Sequence, residues 1–592
     1  MSIAQRLSTR SDAEVEGGRW ASSWHRVNRL LPMIFAATLV VALTWPIIAR
    51  TNSYYLDWPM HLWFMRHQGY SLLHDGGPSL FMHSSEGVFY PLFAFYGGTF
   101  YVIGGLLAAS LGGAGVYGYA LSWVLTFALA YGGWVWLGRL AGLGWWAVQA
   151  PPAVFLTSPY VLTLVYGRGD LPEFVAVCSM PLLIASGLSV LRADRLRVGS
   201  AVALVFATIL FTGTHNLTLL WGGSLLAVLG LVMYVCSPRI RRQVTGRGAA
   251  RVAGLVVPAV LINAWFLVPA LAYQSHTVIA GLAPRWRFTV EHSIDLLFQS
   301  LFTFDRYTID VWVFALPVLA MGWVASVGAL TLRRAWRTSW MLLFVCLGLV
   351  VALLVITMLT QGSLVLLLPE PYVMIQYTYR LENYILLAVA GGVLVGLVLV
   401  NEAVRWMRVL AWMSLAAVVA VSISGALRQI GHPQSRAVRQ IPFWNPPSID
   451  SMGDYADGTV PEVPPKPLKQ LLFAAEQVEG SRTSATVDLQ PGEIIVTNLM
   501  IMPALVHIDG ARLIGDQIVR RGDVIQRRAV LRVDADAVPG AARITVSGAR
   551  PWPVVVGQIL SLLGVLGLAA NVLLRRLGRR SQRLPTSISS TR

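Results

Sequence analysis

The sequence predicts an all-α polytopic membrane bundle of about twelve transmembrane helices plus an interfacial segment, followed by a C-terminal extracytoplasmic β-rich domain. Three observations carry this. The 592 residues are 55% hydrophobic and only 13% charged, with a mean hydropathy of +0.61. Soluble domains carry about twice that charged fraction. Apolar runs of about 20 residues, the length that spans a bilayer as helix, recur along the chain. A single long stretch, 428–552, instead alternates apolar and polar residues.

The apolar runs fall at roughly 31–49, 115–137, 146–164, 171–191, 198–213, 217–236, 252–272, 311–331, 340–359, 383–401, 409–427 and 553–574. The net charge of +17 is concentrated in short arginine clusters between them: Arg192/Arg195/Arg197, Arg239/Arg241/Arg242, Arg333/Arg334/Arg337 and the tail from Arg575. Cations gathered at the cytoplasmic ends of spans are the pattern of a polytopic membrane protein, so nucleic-acid binding is not expected. Placing every cluster in the cytoplasm gives one consistent alternation, with residues 1–30 and 575–592 as cytoplasmic tails. The first run is preceded by Arg26 and Arg29 and lacks a fitting small-residue cleavage site, so it is read as an uncleaved span. A crossing at 92–111 would move the later basic loops outward; this Gly-, Phe- and Tyr-rich segment is expected to be interfacial or re-entrant. Cys178, Cys236 and Cys346 lie inside apolar runs without paired spacing, which supports neither disulfides nor a metal site.

This alternation leaves 50–114, 166–170, 214–216, 273–310, 360–382 and 428–552 on the external face. The last begins with prolines, from Pro442 to Pro467, and then shows strand-like alternation at 484–489, 494–496, 529–533 and 542–546, which predicts a small β-sandwich.

Chemistry concentrates just after the first span, where Tyr54-Tyr55-Leu56-Asp57-Trp58-Pro59-Met60-His61 places an acid and an imidazole one helical turn apart. An ionisable pair at the edge of so apolar a chain is a site candidate. Asp57, two residues before a proline, is equally suited to start a helix. Its company comes from distant segments: Arg168, Asp170 and Glu173; His215; Gln376, Tyr379, Arg380 and Glu382; and Arg285 and Arg287 in the long loop. Separately each has a plain explanation, such as Arg168 pairing with Asp170 or Glu173, or Arg380 with Glu382. Together they gather acids, imidazoles and guanidiniums on one face.

The first external loop, with Asp57, His61 and Phe89-Tyr90-Pro91-Leu92-Phe93-Ala94-Phe95-Tyr96, resembles the GT-C superfamily of membrane glycosyltransferases. It is most similar to a bacterial branch catalogued as pyruvoyl-tetrahydropterin-synthase-related membrane proteins. Arg168-Gly169-Asp170-Leu171-Pro172-Glu173, His215 and Gln376-Tyr377-Thr378-Tyr379-Arg380 resemble elements of that branch, and the stretch from Pro503 to Leu562 resembles its external domain and return to the membrane. The resemblance implies a bacterial inner-membrane enzyme with its active site on the extracytoplasmic face. It would transfer a sugar from a polyprenyl-phosphate donor to a glycan or glycolipid acceptor, with no cofactor. Asp57 would be the general base, and His61, Arg168, Glu173, His215, Gln376, Tyr379 and Arg380 would bind substrate. Many GT-C enzymes carry two adjacent acids in this loop; here Trp58 follows a single one, which argues against a metal-dependent version. The alternatives are a lipid or glycan transporter, or a non-catalytic protein of the same fold.

Overall fold

The computed structural model describes residues 30–49, 53–54, 57–112, 115–280, 320–328, 337–356, 364, 367–373, 375, 378–401, 403–431, 436–437, 455–464, 467–521, 524–534 and 542–581. Among these, seven helices are long and apolar enough to cross a membrane: Leu30–Ala49, Val116–Leu140, Leu171–Arg192, Asn216–Val235, Glu382–Val400, Arg405–Arg428 and Trp552–Leu573. Two bent helix pairs raise the number to at most nine. The runs expected at 198–213 and 340–359 form shorter apolar helices, Val198–Thr212 and Ser339–Leu354, and most of 311–331 lies outside the described residues.

Both bends correct an expectation of straight spans. The run at 146–164 breaks into Ala147–Leu156 and Pro159–Arg168, bent by 54°. Pro159 lacks an N–H and disfavours helical geometry at Ser158, which is extended at φ −67°, ψ 143°. The run at 252–272 bends by 67° between Ile262 and Ala264. There Asn263 turns its side chain onto Ile209 O (3.0 Å) and Thr212 Oγ1 (2.6 Å). Ser561, from the last helix, donates to the carbonyls of Leu261 and Ile262 and accepts from Trp265 N–H. The backbone groups freed by the kink are thus satisfied from neighbouring helices.

Between the first two long helices the chain holds more structure than a loop. Helix Trp58–His74 begins at Asp57, and the shorter helix Gly98–Leu111 packs across it. Their axes approach at Gly69 and Gly105, where a β-carbon on Gly69 would stand 2.7 Å from Gly105 O. Only small residues permit so close a crossing.

The C-terminal region is a β-sandwich joined to this layer. Two short strands, β1 (Ser53–Tyr54) and β2 (Arg436–Ala437), pair antiparallel. The sandwich strands are β3 (Lys469–Leu471), β4 (Arg482–Val487), β5 (Ile494–Thr497), β6 (Val506–Asp509), β7 (Ala511–Arg521), β8 (Val524–Val533) and β9 (Ala542–Gly548). One sheet has the order β3-β5-β8-β7 and the other β4-β9-β6. All pairs are antiparallel except β3 with β5. Asp509-Gly510 forms the turn between β6 and β7, Gly510 adopting φ +82°. The sandwich core is continuous with the first loop: Phe81, Val88, Phe89 and Phe95 cluster with Leu471, Ile495, Leu531 and Ile544. Val88 pairs with Leu499 as an added parallel bridge, and buried Asn498 bonds Phe473 N–H, Phe473 O and Ser85 O.

Candidate functional site

Asp57 occupies the N-terminal cap position of helix 58–74, yet its carboxylate makes no capping bond. Its backbone N–H donates instead to Arg168 O at 2.7 Å. One residue on, the Trp58 indole donates to Val165 O at 3.1 Å and stacks on Trp123 at 5.5 Å between ring centroids. The first loop is therefore tied to the end of the bent pair 147–168.

That second segment ends in a π-helical turn, Thr163–Arg168, and Gly169 reverses it at φ +73°. A side chain there would be strained, and its β-carbon would lie 1.9 Å from Trp58 Cδ1. Asp170 then caps helix 171–192 by accepting from Glu173 N–H. The Arg168 guanidinium forks onto both acids, 2.9 Å from Asp170 and 3.3 Å from Glu173. Arg380 reaches Glu173 at 3.7 Å, a pairing across the fold in place of the expected Arg380–Glu382 pair. Buried Asn383 donates to the other Glu173 oxygen at 2.7 Å. His215 caps helix 216–236, its Nδ1 accepting from Thr218 N–H, so the neutral ring carries its proton on Nε2.

These groups meet at one cavity of about 540 Å³, whose lining among the described residues includes the charged or polar side chains Asp57, His61, Arg168, Asp170, His215 and Arg380. The aromatic rings of Phe95, Tyr96 and Tyr455 and the apolar side chains of Leu217, Leu220, Leu267 and Leu271 line it too. Burial pushes the Asp57 carboxyl up to about 6, against the pull of Arg168 and Arg380. Burial holds His61 down at about 4 and His215 at about 3, so both are neutral near pH 7. Burial would also raise Asp170, but Arg168, His215 and Arg380 outweigh it and keep that carboxylate ionised. The result is one carboxyl with a raised pKa beside two guanidiniums, both paired with buried acids.

The structure thus brings Asp57, His61, Arg168, Asp170, His215 and Arg380 to one cavity, with Glu173 buried behind the arginines. His61 meets the Tyr101 hydroxyl through Nδ1 at 2.7 Å. Gln376, the side chain of Tyr379, and the loop holding Arg285 and Arg287 lie outside the described residues. Sequence reasoning overlooked Tyr455, which sits in a stretch read as a proline-rich linker, and Asn383, hidden inside an apolar run.

Ligand atoms of Asp170, Glu173 and His215 lie within 4.8 Å of one another, a spacing that suits a metal ion. Arg168 and Arg380 already occupy the two carboxylates there, so a cation would have to displace guanidiniums. The donor set fits two ion-paired arginines better than a divalent ion. Compared with protein-family models, curated proteins and solved structures, the chain matches none.

Proposed function

We propose that the chain is a membrane glycosyltransferase that moves a sugar from a polyprenyl-phosphate donor to a glycan or glycolipid acceptor on the extracytoplasmic face. The observation that carries this reading is the mixed lining of the cavity. It combines the carboxylates of Asp57 and Asp170 and two guanidiniums with a set of leucines, of which Leu271 is 78% exposed and so accessible to an apolar chain. A phosphate-linked isoprenoid has that mixture of polarity.

In this reading Asp57 accepts the proton of the acceptor hydroxyl as its oxygen attacks the anomeric carbon. The bond to the donor phosphate breaks with its electron pair leaving on the phosphate. A base whose pKa lies near the working pH is the effective choice, and cationic donors stabilise the charge that grows on the leaving group. Arg380 meets Glu173 at 3.7 Å, a longer contact than those of Arg168 with Asp170 at 2.9 Å and Glu173 at 3.3 Å, and a phosphate between the two guanidiniums would draw on both. The ionisable lining groups sit at helix ends or in the turns beside them, as suits a site at a membrane surface rather than a path through the bilayer.

The test is transfer of labelled sugar by the purified chain from a polyprenyl-phosphate donor. Wild type transfers, and Asp57→Asn, matched for melting temperature, does not. Transfer at the wild-type rate by that variant would remove Asp57 as the base.

A further inference from the structure

The aromatic wall of the cavity has no part in the chemistry of Asp57 or the arginines. Its rings are nonetheless ordered. Tyr455 lies parallel to Phe95, with an interplanar angle of 3° and centroids 5.7 Å apart. Tyr96 follows at 6.3 Å and 32° from Tyr455, and His61 at 6.2 Å and 21° from Tyr96. A belt of rings in shallowly inclined planes therefore leads from Tyr455 to the histidine one helical turn from Asp57. Tyr455 belongs to the segment that leads into the β-sandwich, and its position is fixed by four bonds. Its own N–H donates to the Tyr90 hydroxyl at 3.0 Å, Val278 N–H to Ala456 O at 3.0 Å, Gly458 N–H to His276 O at 2.7 Å, and Asp457 N–H to Ile501 O at 3.4 Å. The last of these ties the segment to the sandwich and the others tie it to the helical region, so both regions hold this ring at the cavity.

Resting on the glycosyltransferase reading, we infer that Phe95, Tyr96 and Tyr455 form a pyranose-binding platform and that the C-terminal region completes the sugar subsite through Tyr455. Aromatic faces and edges favour defined stacking geometries over mere filling of space. The C–H face of a pyranose lies flat on such rings, and a tyrosine adds a hydroxyl that can hydrogen-bond. Because His61 lies 6.2 Å from Tyr96, a sugar seated there would lie near His61, and Asp57 lines the same cavity.

Saturation-transfer difference NMR tests this on the full chain in nanodiscs free of sugar detergents, with glucose, mannose and galactose as probes. Wild type is expected to saturate the C–H protons of one pyranose face for at least one of them. Tyr455→Leu, which keeps the bulk and removes the ring, should weaken that binding about tenfold, with Tyr455→Phe losing much less. Equal binding by wild type and Tyr455→Leu would overturn the platform and leave the glycosyltransferase reading standing. Absence of any pyranose signal from wild type, with polyprenyl phosphate still bound, would also overturn the platform. Absence of both would remove the transferase reading with it.

Discussion

Gly169→Ala is the substitution for which the structure gives the sharpest consequence. Gly169 sits at φ +73°, where an alanine costs ~1 kcal/mol. Its new β-carbon would lie 1.9 Å from Trp58 Cδ1, so the indole must retreat by about 1.5 Å to reach ordinary contact at about 3.4 Å. That retreat breaks the bond from Trp58 Nε1 to Val165 O, ~1 kcal/mol. It also disturbs the stack on Trp123, ~1 kcal/mol more. The sum is ~3 kcal/mol, or a fall of roughly 6 °C in apparent Tm at ~2 °C per kcal/mol for a large chain. Trp58 adjoins Asp57, so its retreat also displaces the base, and a displacement of ~1 Å costs ~100-fold in rate. Gly142→Ala is the matched control: Gly142 has φ +84° but open space within 4 Å of its β-carbon, so only the backbone term of ~1 kcal/mol applies. Melting of both variants by tryptophan fluorescence in detergent, beside a transfer assay, measures the difference. Equal Tm for the two, with wild-type transfer by Gly169→Ala, would refute the argument that Gly169 positions Asp57 through Trp58.

Other expectations follow from the same geometry. On the proposed role of Asp57 as base, transfer needs its ionised form, and its pKa is raised to about 6, so the rate should rise with pH through about 6 and level off above it; a rate independent of pH across that range would contradict this. His61 and His215 stay neutral over that window and should add no second limb. Glu173→Gln removes the acid shared by Arg168 and Arg380 and should cost ~2 kcal/mol in stability while tightening phosphate binding to the released guanidiniums, measured by Tm with and without polyprenyl phosphate. Asn498→Ala should loosen the β-sandwich from the first loop by ~2 kcal/mol, because the two buried backbone groups of Phe473 lose their partner and the bond to Ser85 O in the first loop is lost; limited proteolysis of the C-terminal region should then quicken, and unchanged protection would count against this docking.

Much of the bundle was legible because apolar length is a direct signal: the runs at 31–49, 115–137, 171–191, 217–236, 383–401, 409–427 and 553–574 all emerge as membrane-length helices. The kink at Asn263 was not, because a single polar residue in an apolar run reads as tolerated until partners such as Thr212 and Ser561 are seen, and the one at Ser158 rests on the single Pro159 that follows it. Four of the sandwich strands lie where alternation placed them. Lys469–Leu471, Val506–Asp509 and Ala511–Arg521 were missed, the first two being too short for a clear period and the third interrupted by the shift between Leu513 and Gly515. At the site, the joining of Asp57 with Arg168 and Arg380 followed from charge placed at helix ends. What sequence cannot supply is pairing across the fold: Arg380 chooses Glu173 over adjacent Glu382, and Tyr455 reaches the cavity from a segment resembling a linker.

The most direct measurement is an experimental density map of the full chain with a polyprenyl-phosphate analogue bound. The account predicts phosphate density between Arg168 and Arg380, within reach of Asp57, and a tail running along Leu217, Leu220, Leu267 and Leu271. Density for the analogue elsewhere, with the Asp57 cavity empty, would contradict it.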